Sequence, residues 1–194
     1  MKKFVAILIS TFLLFALVAC GGNKEPTTSG EPTETGEGKL KVALILPGSL
    51  NDGGWNANAY AGLKVLEEEG YRVAFTESVE ISAIEEAFRN YASAGYDLVI
   101  GHGFEFGEPA MRVAPEFKDV NFFVSGKMPD GVEAEDLPAN VGFMDMKEYE
   151  AAYMAGIVAG GMTESNIIGY VAGLEIPVQL SNMAAFVEGV KVSN

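Results

Sequence analysis

The segment Asn51-Asp52-Gly53-Gly54-Trp55-Asn56 gathers groups suited to holding a small molecule: three polar side chains beside the only tryptophan of the chain. Asn51 and Asn56 bring amides, Asp52 brings a carboxylate, and the glycines allow tight backbone turns. A second set follows later, His102-Gly103-Phe104 with Glu108 close behind, then Ser125-Gly126-Lys127, then Asp145. Each residue also has a plainer reading. Asp52 is well placed to cap a helix N-terminus, and a capping loop is also a binding loop. Trp55 suits packing at a helix start, a first-turn amide such as Asn56 needs no ligand, and a lone histidine more often supports structure than reacts. Asp145 suits a ligand contact or a hinge hydrogen bond equally.

These residues come together only if the chain between them alternates strands and helices. Val42 to Leu46 is an unbroken apolar run, the signature of a strand buried on both faces. Ala57 to Glu69 places Tyr60, Leu63 and Leu66 on one stripe and ends at Gly70, a C-cap glycine. Tyr71 to Thr76, Asp97 to Gly101, Val120 to Val124 and Asn140 to Met144 read as further strands. Helices are expected over Ile81 to Ala94 and Phe106 to Phe117, with Pro115 ending or kinking the latter. Strand, helix, strand at this spacing means right-handed crossovers and a parallel, doubly wound α/β sheet. In such sheets ligands bind outside the carboxyl ends of the strands, where all the candidate groups fall. Beyond them, Lys147 to Met162 reads as a helix rich in small residues, Ile167 to Gly173 as a strand, and Pro177 onward as a final helix.

Catalytic motifs are missing. The chain has no Gly-x-x-x-x-Gly-Lys-Ser/Thr loop, no strand-linked Gly-x-Gly-x-x-Gly and no Gly-x-Ser-x-Gly elbow. One histidine and one cysteine leave no metal cluster or disulfide, so the reading is a non-enzyme without a cofactor.

The N-terminus has its own logic. Met1-Lys2-Lys3, then Phe4 to Ala19 without a charge, reads as an export signal over residues 1–19. It falls short of the ~20 apolar residues that span a bilayer comfortably. Leu17-Val18-Ala19-Cys20 is similar to a bacterial lipobox, which would make Cys20 the lipidated N-terminus of the mature chain. Gly21 to Gly38 contains no large apolar residue and reads as a disordered tether. Formal charge is −14, or −16 once Lys2 and Lys3 leave with the signal. So acidic a chain argues against nucleic acid and anionic lipid headgroups as partners. The expected place is the extracytoplasmic face of the cell membrane, held by the lipid alone.

The lipobox, Asn51-Asp52-Gly53-Gly54-Trp55-Asn56, Gly101-His102-Gly103-Phe104, Glu150-Ala151-Ala152-Tyr153-Met154-Ala155-Gly156, and Phe186-Val187-Glu188-Gly189-Val190 together resemble the basic membrane protein family. These are substrate-binding lipoproteins of ABC importers, the purine nucleoside receptors among them. The resemblance implies a type I periplasmic-binding-protein fold: a first lobe over 39–143, then a crossover and an incomplete second lobe over 144–194. It also implies a nucleoside-like ligand and ABC permease partners. Trp55 would stack on a base, worth ~1–3 kcal/mol per base, with Asn51 and Asp52 reading its polar edge. His102, Gly103, Phe104, Glu108, Lys127 and Asp145 would complete the wall, Glu108 standing where an aspartate is expected. The loop 174–178 would supply the facing side. An alternative is a sensor or regulator that uses the same fold without transport.

Overall fold

The computed structural model describes residues 39–173 and 175–194. The signal segment, Cys20 and the tether lie outside the described residues.

Five strands form one parallel sheet: β1 (Lys41–Ile45), β2 (Arg72–Thr76), β3 (Leu98–Gly101), β4 (Asn121–Val124) and β5 (Val141–Phe143), in the order β2-β1-β3-β4-β5. Three helices join them: α1 (Trp55–Glu68), α2 (Ile84–Ser93) and α3 (Gly107–Val113). The order reverses beside β1, so the turns leaving β1 and β3 diverge to opposite faces and open a crevice at the strand ends.

Strand periodicity explains why β1 is apolar throughout. Val42, Leu44 and Leu46 point to one face and join Leu63 of α1 and Val73. Ala43 and Ile45 point to the other, beneath α2 and α3. There Phe88 sits edge-on to Phe106 and Phe122, with ring centroids 6.0 and 5.6 Å away, the geometry that aromatic quadrupoles favour.

The expected helix over Phe106 to Phe117 is shorter. It is α3 flanked by single 3₁₀ turns at Phe104–Phe106 and Ala114–Glu116. Pro115 has no N–H to continue the helical ladder and its ring crowds the preceding turn.

After β5 the chain forms α4 (Glu148–Met162) and α5 (Pro177–Ser193), packed against each other. Gly156, Gly160 and Gly189 lie at the contact. A Cβ on Gly156 would collide with the Phe186 carbonyl, and one on Gly189 with that of Tyr153. The expected strand over Ile167 to Gly173 is irregular instead, and Val171 is 97% exposed. Among the described residues no strand lies alongside to complete a ladder, and unpaired backbone gains nothing by extending there.

Among the described residues, no helix is long and apolar enough to cross a membrane.

Candidate functional site

The turn after β1 is built around one carboxylate. Ser49 accepts from the Asn51 N–H at 3.2 Å and starts a 3₁₀ turn over Leu50–Asp52. Gly53 follows at φ +66°, a left-handed conformation that costs glycine nothing. The reversal swings Asp52 back across the start of α1. Its carboxylate accepts from the backbone N–H groups of Gly54, Asn56 and Ala57 at 2.9, 2.8 and 3.1 Å. It also accepts from Asn56 Nδ2 at 2.8 Å. The Gly54 and Asn56 amides lead in holding its pKa well below the usual carboxylate range. The helix-capping role is therefore the one the structure displays.

Asn56 is fixed by that same carboxylate. Because Nδ2 donates to Asp52, Oδ1 faces the other way, and it has no hydrogen-bond partner among the described residues although Asn56 is only 6% exposed. A buried acceptor without a donor costs free energy until something supplies one.

Trp55 stands at the head of α1, 39% exposed. One face of its indole is covered by His102, with ring centroids 4.1 Å apart and planes 23° from parallel. His102 Nε2 lies 3.1 Å from the Trp55 carbonyl oxygen, which can only accept, so Nε2 carries the proton. Nδ1 of the neutral ring then accepts from the Ser125 hydroxyl. Burial pushes the His102 pKa down and favours this neutral form. One histidine thus ties the ends of β3 and β4 to the first residue of α1.

A cavity of about 340 Å³ opens beside these groups, within the range of roughly 300–1,000 Å³ that small-molecule sites occupy. Trp55, Asn56, Gly103, Phe104, Lys127 and Asp145 line it, together with Ser125 and Gly126. The loops after β3 and β4 meet backbone to backbone, since a Cβ on Gly126 would lie 2.9 Å from the Phe104 nitrogen. Ile176, just before α5, and Val178 and Gln179 in its first turn line the opposite side. Met144, Met146 and Glu148 form the rim between.

Four expected contacts stand apart from the cavity wall. Asn51 is exposed, and Asp52 is engaged with α1. His102 is buried behind Trp55 and supports the indole from the back. Glu108 needs a correction: it lies on the outer surface and pairs with Arg112 at 3.1 Å. It is the second residue of α3, and its rotation around the helix turns it toward the neighbouring Glu85–Arg112 pair. Of Glu105 and Glu108 it is Glu105, in the 3₁₀ turn just before α3, that lines the cavity, as do Asp145 and Glu148. The sequence signal for Glu105 is a carboxylate two residues after Gly103, the glycine at φ +142° in the turn that follows β3.

A second hollow, about 560 Å³, lies between α1 and the sheet. Leu44, Leu63, Leu66 and Ile100 make it mostly aliphatic.

Comparison with known proteins agrees with the α/β fold. The model of a family described as Bmp, ABC transporter substrate-binding protein PnrA-like, matches residues 39–194. A Haloferax volcanii protein, TsgA13, named as an ABC transporter glucose-binding protein, is 31% identical over 89% of this chain and 42% of its own length. A purine-binding protein of Brucella abortus, BAB2_0673, is 29% identical over 81% of this chain and 44% of its own. Among solved structures, an ABC transporter solute-binding protein from Conexibacter woesei has a TM-score of 0.63 and 36% identity, covering 80% of this chain and 51% of that one. The chain spans about half the length of the proteins it matches.

Proposed function

The chain belongs to the PnrA-like family of ABC transporter substrate-binding proteins, and from that premise we propose that it captures a nucleoside outside the cytoplasm for delivery to an ABC permease. Lipidation at Cys20 would keep it at the membrane surface, and closure of two lobes around a hinge would trap the ligand. The site residues in this reading are Trp55 as platform and Asn56 as reader, with Gly103, Phe104, Lys127 and Asp145 completing the wall.

One observation carries the reading. Trp55 presents an indole backed by His102 at the cavity, and the next residue holds a buried amide oxygen that lacks a donor. A purine offers its π-face to the indole, and its edge N–H groups match that acceptor once the Asn56 side chain turns toward the cavity. A relative named as purine-binding is consistent with this, while one named for glucose defines the competing ligand. Sugars also stack on indoles, so the two must be separated by experiment.

The test is a thermal-shift and titration panel of the purified protein with adenosine, guanosine, free purine bases, riboflavin and glucose. Nucleosides should raise the melting temperature. Trp55→Ala should weaken their binding roughly 5- to 150-fold, the equivalent of ~1–3 kcal/mol of base stacking. Stabilisation by glucose alone, unchanged in Trp55→Ala, would replace the nucleoside with a sugar.

A further inference from the structure

We propose that the cavity selects ligands that donate hydrogen bonds and carry no phosphate, and that Glu105 sets this preference. The inference rests on the nucleoside reading above and narrows it.

Glu105 lies in the turn after β3 and lines the cavity beside Phe104. Its carboxylate folds back over Gly103, where a Cβ would come within 2.9 Å of the Glu105 Cδ. Glycine at 103 is what leaves it this room. Partial burial pushes its pKa up, and the one donor acting on it among the described residues is its own backbone N–H. Such a group is an acceptor with capacity to spare.

The other polar groups on the wall lean the same way. Asp145 and Glu148 add carboxylates. Lys127 is the cation among the described lining residues, and Asp130 already pairs with it at 2.6 Å. Three carboxylates therefore face one engaged ammonium. A phosphate monoester brings ~1.5–2 negative charges at neutral pH, and like charges repel more strongly in a partly desolvated cleft than in water. Hydroxyls and exocyclic amines meet the opposite situation, because hydrogen bonds to a charged acceptor are the strong kind.

Isothermal titration of the purified protein with adenosine and adenosine 5′-monophosphate tests this. The monophosphate should bind at least 100-fold more weakly. Glu105→Gln should weaken adenosine at least tenfold while narrowing the gap between the two ligands. Glu105→Asp keeps the charge but shortens the reach, so it should weaken adenosine and preserve the gap. Equal affinity for both ligands in the wild type would overturn the inference, as would a Glu105→Gln gap within twofold of wild type. If neither ligand binds, the nucleoside reading fails and this inference fails with it.

Discussion

Between residues 39 and 143, each face of the sheet carries its own buried cluster, whereas α4 and α5 pack mainly on each other and leave apolar side chains outside. In the sheet region, Ala43, Ile45, Phe88, Val99, Phe106 and Val113 are fully inaccessible. In the helix pair, the buried positions are Gly156, Gly160, Gly189 and Asn182. Met162 is 77% exposed, and Met154, Val158 and Val187 are also open to solvent. The two regions therefore do different work at the cavity. The sheet region holds its groups in place through contacts of its own: Asp52 on the start of α1, His102 between Trp55 and Ser125. The helix pair supplies a facing wall through Ile176, Val178 and Gln179, with little packing of its own to fix that wall.

The largest expected effect breaks the sheet side of this contrast. Phe88→Ala removes the ring that touches both Phe106 and Phe122, and a buried Phe→Ala change costs about 3–5 kcal/mol. Urea unfolding followed by the Trp55 emission should shift to much lower denaturant. An unchanged midpoint would mean that this cluster does not anchor the region that carries the site.

A smaller effect separates the regions. Gly189→Leu drives a side chain into the Tyr153 carbonyl and the Ile157 amide, and overpacking of this kind costs typically ~1–3 kcal/mol. Hydrogen exchange should speed up in α4 and α5 while the amides of β1, β3 and β4 keep their protection. Equal acceleration throughout would show that the two regions open as one unit, contrary to the contrast drawn here.

The legible part of the fold follows the same division. Apolar runs such as Val42 to Leu46 announced the strands because burial on both faces leaves no room for polar residues, and Gly70 and Gly95 marked helix ends by their positive φ. The turn at the end of β1 was legible too, since glycines, a capping acid and an aromatic stand in sequence there. Glu105 and Glu108 were not separable by eye. One residue of helix is about 100° of rotation, so which acid meets the cavity depends on where α3 begins. Ile167 to Gly173 has a strand's composition, but a strand also needs a neighbour, and composition cannot supply one. His102 behind Trp55 depends on contact across 47 positions, which no local pattern encodes.

The smallest effect concerns that contact, and it tests whether the platform is pre-set by the sheet region. Burial holds the folded His102 pKa below its ordinary value near 6.5. The unfolded chain therefore takes up a proton first as pH falls. Stability from the neutral ring is complete above about pH 6.5 and is lost as pH drops through the folded value. Asp52 nearby opposes the shift electrostatically without reversing it. Because Trp55 is the sole tryptophan, its emission reports the stacked ring directly, and an imidazolium against the indole should quench it. The quench should have a midpoint below 6.5 and vanish in His102→Phe, which keeps an aromatic ring but loses the bonds to Ser125 and the Trp55 carbonyl. That variant should lose about 0.5–1.5 kcal/mol for each hydrogen bond removed, with nucleoside affinity falling only modestly. A midpoint at or above 6.5, or a quench that survives the substitution, would mean that the indole is positioned by α1 alone and that the histidine is a bystander.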